Sequence, residues 1–302
     1  MAPLVALLSG GTGGAKLARG LLEVCDDLVV IANTGDDVDV YGVHVSPDPD
    51  LVTYWLADEI DERGYGLRGD TFEVMAALEA AGRPAWFRLG DRDLAMCLIR
   101  SERLQAGQRL TEAHAAVAEA MGVETRVLPM SDQPVSTWVG VAERLLPFQE
   151  YMIVAGAPSP IEAVELRGVD AARPTDETLQ ALAEADAIVI GPSNPVASIG
   201  PILALPGMRE ALAAAPAPVV AMSPLVGGRS LKGPTEAFCT YAGIELSATG
   251  VARAYGEILD GIVADEGAAG VAGHVTETRM DTVDASRRLA AETLEFADSL
   301  RE

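Results

Sequence analysis

The stretch that most limits this chain is Leu8-Ser9-Gly10-Gly11-Thr12-Gly13-Gly14-Ala15-Lys16, where an apolar run stops at a glycine cluster. Leu4 to Leu8 read as a short strand apolar on both faces, as strands of a parallel sheet are. Beyond the cluster Ala15, Leu17, Ala18, Leu21 and Leu22 recur at helical spacing, giving strand, glycine loop, helix. Four glycines within positions 10–14 let the backbone approach a ligand closely and take positive φ without steric cost. Free amides at the helix start, reinforced by the macrodipole, form an anion site. Gly11-Thr12-Gly13-Gly14-Ala15-Lys16 follows the dinucleotide pattern G-x-G-x-x-G except at its last position, where lysine stands. It also misses the P-loop spacing, because Ala15 occupies the place of the glycine before the lysine. The expectation is a phosphate cradle of neither standard type, weighed against a tight structural turn.

The remaining chain repeats that rhythm. A second strand, Leu28 to Ala32, ends in Asn33-Thr34-Gly35-Asp36-Asp37, and ligands of open α/β sheets collect at such strand ends. Adjacent aspartates there suit a divalent cation or a ribose; a solvated turn is the plainer alternative. Ser46-Pro47-Asp48-Pro49-Asp50 then forms a proline-stiffened turn before a helix from Leu51 to Ile60, with Asp50 able to cap it. Hard cations such as magnesium take one or two carboxylates plus substrate phosphates, which makes Asp36, Asp37 and Asp50 metal candidates.

From about 51 to 122 the apolar spacing is helical, with Asp70 to Ala81, Leu94 to Gln105 and Thr111 to Met121 as the clearest segments. This region reads as a helical insertion walling the sheet edge. Its punctuation, Trp86-Phe87-Arg88-Leu89-Gly90-Asp91-Arg92-Asp93, could stack on a ring and grip an anion; a core Trp-Phe pair beside surface ion pairs is the competing reading. Short strands are expected at Thr125 to Leu128, Val135 to Val141 and Gln149 to Val154. A helix from Thr175 to Ala185, a strand Ala187 to Ile190, a helix around Leu212 and a strand Val219 to Met222 follow. These strands end in Gly191-Pro192-Ser193-Asn194-Pro195 and Ser223-Pro224-Leu225-Val226-Gly227-Gly228. Three donor-rich turns on one carboxyl edge make a nucleotide cleft. Gly261 to Ala264, Val271 to Thr276 and a closing helix Ala285 to Leu300 complete the pattern.

The formal net charge of −23 argues against nucleic acid and anionic membrane as partners. Against 20 arginines stand only two lysines, Lys16 and Lys232, each beside a glycine cluster where a compact point charge suits phosphate. Cys25, Cys97 and Cys239 lack metal or redox spacing and read as buried thiols of a reducing compartment. No basic segment precedes the first apolar run and prolines interrupt the longest uncharged stretch, so a cytoplasmic protein is expected. The fold class is therefore α/β, a Rossmann-like three-layer, mostly parallel sheet in one domain over 1–302 carrying the insertion.

These blocks, in this order and spacing, closely resemble the 2-phospho-L-lactate transferase family of coenzyme F-420 biosynthesis, over essentially the whole chain. The departure is Pro49-Asp50-Leu51, where the family pattern runs Leu-Asp-Thr. The resemblance implies transfer of a phospho-acid from a lactyl- or enolpyruvyl-diphosphoguanosine to the ribityl hydroxyl of the deazaflavin FO, releasing GMP with Mg²⁺ present. It implies Asp50 and Arg88 as contacts to the deazaflavin, with Trp86 and Asp91 beside them. The nucleotide would lie on Gly10, Gly11, Thr12, Gly13, Gly14, Lys16, Ser193, Asn194, Ser223, Gly227, Gly228 and Lys232. Asp36, Asp37 and Asp50 would serve metal and catalysis, and a homodimer is the expected assembly. Two rivals are weighed. A nucleotide-sugar-binding regulatory protein of the same superfamily is disfavoured by the 47–50 turn and the 86–93 segment. An NAD-dependent oxidoreductase is disfavoured by Lys16 and by the absence of a lone acidic residue ending the second strand.

Overall fold

The computed structural model describes residues 3–231 and 233–301. β1 (Leu4–Ser9) runs straight into α1 (Gly11–Leu21), and β2 (Asp27–Ala32) follows. A hairpin of β3 (Val38–Val40) and β4 (Val43–Val45) precedes four helices, α2 (Pro47–Leu56), α3 (Glu73–Ala80), α4 (Asp91–Gln105) and α5 (Leu110–Ala120). Then come β5 (Arg126–Pro129), β6 (Ser136–Val141), β7 (Arg144–Pro147), β8 (Ala163–Arg167), α6 (Asp176–Glu184) and β9 (Ala187–Ile190). The chain continues through α7 (Ile199–Ala204), α8 (Met208–Ala214), β10 (Val219–Met222), β11 (Leu225–Val226), β12 (Arg229–Ser230), α9 (Thr235–Tyr241) and α10 (Ala248–Tyr255). It closes with β13 (Gly261–Ala264), β14 (Ala272–Val275) and α11 (Val283–Ser299).

Seven strands form one sheet in the order β14-β13-β10-β9-β1-β2-β5, every pair parallel. β1 alternates between two cores: Ala6 and Leu8 pack with α6, α7, α8 and α10, whereas Val5 and Leu7 pack with α1, α2 and α11. Burial on both faces explains the uninterrupted apolar run, since neither face has a use for polar groups. Each fully buried Leu or Val contributes roughly 1.5–3 kcal/mol. From β1 the chain builds outward to β2 and β5, then returns to the other side of β1 with β9. The reversal lies between β1 and β9, and at such a switch point the turns leaving the two strands diverge to leave a crevice.

The expected α/β fold is therefore present, with local corrections. The glycine run is largely helix: α1 begins at Gly11, with Gly10 at its N-cap position. Glycine is required there by packing. A Cβ on Gly13 would lie 2.1 Å from the Pro192 carbonyl oxygen, and one on Gly14 would lie 2.2 Å from Ser9 Oγ. The 46–50 turn is also helical: α2 begins at Pro47 and Ser46 holds the N-cap position, so Asp50 caps nothing. Gln149 to Val154 is no strand, because Glu150–Val154 winds into a π-helical turn. The β3–β4 hairpin, β7, β8, the β11–β12 hairpin, α9 and α10 escaped the sequence reading. Among the described residues no helix is long and apolar enough to cross a membrane.

Candidate active site

The carboxyl ends of β1, β2 and β9 meet α2. Ser193 in the β9 turn accepts the Gly10 amide through Oγ at 3.3 Å, which ties the two turns of the switch point together. Asn194 folds its own turn, its Oδ1 accepting the amides of Val196 and Ala197 at 2.9 and 3.1 Å. Gly11 N–H, the first free amide of α1, donates to Asp48 Oδ1 at 2.6 Å. Asn33 at the end of β2 donates to Asp48 Oδ2 at 2.9 Å. A carboxylate in the first turn of α2 thus sits on the N-terminus of α1, where the helix dipole favours an anion.

Asp48 belongs to an acidic group with Asp36 and Asp50, both buried, and half-buried Asp37. Burial raises all four carboxyls above the ordinary range, Asp48 to about 6. Gln149 donates to Asp36 Oδ2 at 3.0 Å. Both oxygens of Asp37 are engaged, by the Ser46 hydroxyl at 2.8 Å and by His44 Nε2 at 3.0 Å. Asp50 is bound on Oδ1 by Arg100, while its Oδ2 is buried without a partner. Among the described residues, the acidic or thiol side chains whose ligand atoms lie within 4.8 Å of one another are Asp50, Asp93 and Cys97. Asp36 and Asp37 are not gathered with Asp50 into one such set.

Asp48 and Asp50 also line a cavity of about 170 Å³ beneath the insertion. Tyr54, Tyr65, Phe72, Phe87 and Leu89 give it an apolar wall, with Arg63, Arg88 and Asp93 adding charge. Arg63 and Arg88 both lie against the Phe72 ring, at 5.6 and 5.3 Å from its centroid. Asp93 accepts the Tyr54 hydroxyl at 2.7 Å, and burial lifts its carboxyl to about 7. A flat ring could lie between such walls, its polar tail reaching Asp50 and Asp93.

The structure sorts the sequence-derived residues by position. Gly10, Gly11, Gly13, Gly14, Ser193, Asp50 and Arg88 converge on this region, and Thr12 sits half-buried in the first turn of α1. Trp86 borders a separate cavity of about 60 Å³ with Asp36 and Asp37. Asp91 turns to α3, accepting the amides of Glu73 and Val74 at 3.0 Å each. Lys16 donates to the Met280 carbonyl at 2.8 Å and lies 5.9 Å from the Trp55 ring centroid. Ser223 accepts the Leu225 amide at 3.2 Å. Gly227 and Gly228, with φ of 58° and 71°, form the two-residue loop joining β11 to β12, a turn that demands glycine-like backbone. Lys232 lies outside the described residues. Missed by sequence reasoning were Tyr54, Asp93, Arg100, His114 and Gln149; only Asp93 carried a signal, its place in the 86–93 segment.

A family model described as 2-phospho-L-lactate transferase CofD matches residues 5–295. The chain belongs to the CofD family. It is 41% identical to a phosphoenolpyruvate transferase of Kitasatospora aureofaciens, covering 98% of each chain. It is 40% identical to a 2-phospho-L-lactate transferase of Methanosarcina acetivorans, covering 86% of this chain and 85% of that one. In architecture it is similar to a UPF0052-family protein of Bacillus halodurans, with a TM-score of 0.64 at 19% identity over 97% of this chain and 99% of the other. As a CofD-family member the chain is a transferase, and it shares its α/β fold with this structural neighbour.

Proposed function

We propose that this transferase moves a 2-phospho-L-lactyl or phosphoenolpyruvyl group from a guanosine diphosphate-linked donor to the ribityl hydroxyl of the deazaflavin FO, releasing GMP, in coenzyme F-420 biosynthesis. The observation that carries this reading is the position of Asp48. One carboxylate both sits on the α1 N-terminus and lines the aromatic-walled cleft. A nucleotide on the glycine turn and a ring in the cleft would therefore meet end to end, as group transfer between them requires. The hydroxyl oxygen attacks the phosphorus bearing the acid, the phosphoanhydride bond breaks, GMP leaves with its electron pair, and the hydroxyl proton is lost to the site.

The residues present fit a hard divalent cation. Asp50 Oδ2 is a buried oxygen with no partner, and the surrounding carboxylates exceed the cations facing them. Asp50 is the residue that would hold it, with the Asp93 carboxyl gathered beside it. Bound Mg²⁺ would neutralise charge on the transferring phosphoryl group and on GMP. The chain's own work is to bind and orient: α1 and the Ser193 turn for the nucleotide, Arg88 and the aromatic wall for the ring. Asp93, anchored by Tyr54, stands near the tail. Dimeric assembly and a cytoplasmic setting go with this reading.

The test is mass spectrometry of the deazaflavin after incubation with Mg²⁺ and each donor in turn. Addition of the phospho-acid to FO with equimolar GMP supports the proposal. Donor binding without any product from either donor would leave the regulatory nucleotide-binding reading in its place.

A further inference from the structure

Arg100 lies within α4 and has no solvent-exposed surface. Its guanidinium joins three elements. Nη1 donates to the His44 carbonyl of β4 at 3.1 Å, and Nη2 donates to Asp50 Oδ1 on α2. His114 of α5 closes the enclosure, with Nδ1 3.5 Å from Nη2 and Nε2 3.1 Å from the Thr53 hydroxyl. Thr53 Oγ1 donates to the Pro49 carbonyl, so it accepts from His114 Nε2–H and leaves the Nδ1 lone pair facing Arg100. Burial and the neighbouring guanidinium both hold this imidazole neutral.

The grip on Asp50 is one-sided. Guanidinium and carboxylate commonly pair through two parallel bonds. Here only Oδ1 is taken, the second amino group is spent on His44, and Oδ2 stays buried without a partner beside the cleft. Net stability is a weak reason for this arrangement, because apolar replacements of buried ion pairs are often neutral or stabilising.

We infer that Arg100 is a positioning residue for the transfer: it anchors Asp50 by Oδ1 so that Oδ2 faces the reacting groups. The inference rests on the proposed role of Asp50 at the transferred group. Arg100 does not line the cleft and acts only through Asp50.

The experiment compares Arg100→Lys, Asp50→Asn and the double variant by steady-state kinetics, thermal melting and Mn²⁺ binding followed by electron paramagnetic resonance. Lysine keeps the charge but lacks the planar fork that reaches His44 and Asp50 together. Arg100→Lys should lower kcat about 10–100-fold, the order expected for a displacement near an ångström. KM for both substrates should change less than about threefold, and Mn²⁺ binding should weaken about tenfold, in step with kcat. The double variant should be no slower than Asp50→Asn, since residues acting as one unit are non-additive. A lowered melting temperature with wild-type kcat and Mn²⁺ affinity overturns the inference, as do losses that multiply in the double variant. If Arg100→Lys fails to fold, Asp50→Asn/Arg100→Met carries the comparison, having neither charge. A kcat equal to that of Asp50→Asn supports the inference, and a further tenfold loss rejects it. Wild-type turnover on FO keeps the two ideas apart: its absence fails the proposed function, and the Mn²⁺ arm then decides Arg100 alone.

Discussion

Gly13→Ala isolates what the glycine cluster does. In a helix, alanine is favoured over glycine by about 1 kcal/mol, so propensity alone makes the variant more stable. The new Cβ, however, would sit 2.1 Å from the Pro192 carbonyl oxygen and 3.1 Å from its carbon, against 3.4–4 Å for ordinary contact. Both atoms are backbone, so no side chain can rotate away, and the β1 and β9 turns must separate. Overpacking of this kind costs roughly 1–3 kcal/mol. A 2.1 Å approach to fixed backbone belongs at the upper end of that range, so the net loss is about 1–2 kcal/mol and the melting temperature of a chain this long falls by about 2–4 °C. Gly20→Ala is the internal control, since its Cβ would meet the Ser286 carbonyl oxygen at 2.3 Å, at the other end of α1 against α11. Both variants should melt early, but only Gly13→Ala should lose guanosine diphosphate affinity by calorimetry, because only it opens the switch point. A Gly13→Ala protein that melts at or above wild type, or that weakens binding no more than Gly20→Ala, would refute the reasoning.

Acidification should stabilise the metal-free protein. The Asp48 carboxyl is raised to about 6, so the folded state prefers it protonated. The penalty for its charge, roughly 3 kcal/mol, is present above that value and disappears as the pH falls towards the ordinary carboxylate range. Asp93, raised to about 7, and His44, also raised, act in the same direction, while neutral His114 opposes them. The melting temperature should therefore climb between pH 7.5 and about 5, and a steady fall would contradict this account. Asp91→Ala should cost about 0.5–2 kcal/mol through the lost cap on α3, with turnover near wild type; a large fall in kcat would return Asp91 to the substrate site. Excess chelator should abolish transfer while calorimetry still reports nucleotide binding, and undiminished turnover would remove magnesium from the reaction.

The parallel strands were legible because burial on both faces leaves an unmistakable apolar run, and the turns that follow them are rich in glycine and hydroxyls. Elements that depend on partners were harder. Tyr151, Met152, Ile153 and Val154 look like a strand, yet Tyr151 turns in to pack on Phe148 and Phe238 and the backbone winds into a π-turn. Val38, Val40, Val43 and Val45 alternate as strands should, but three-residue strands give too few periods to stand out. Within the site, Asp91 and Asp93 show the limit of motif reading. Two residues apart on a helix, they point in different directions: one caps α3 and the other enters the cleft. Arg100 and His114 gave no signal, since a buried cation is intelligible only beside Asp50, fifty residues from Arg100.

The carboxylate seated on α1 has a bearing on which ligands the protein ignores. A bare helix N-terminus captures any small anion, and inorganic phosphate is abundant wherever nucleotides are made and used. Here Asp48 already holds the Gly11 amide and is held in turn by Asn33. A free anion arriving there meets a like charge instead of an open donor, and gains little by displacing it. A guanosine diphosphate compound brings a base, a sugar and a counter-ion, each with contacts of its own to offset that repulsion. On the proposed function, the resident aspartate would set a threshold that the whole donor clears and its fragments do not.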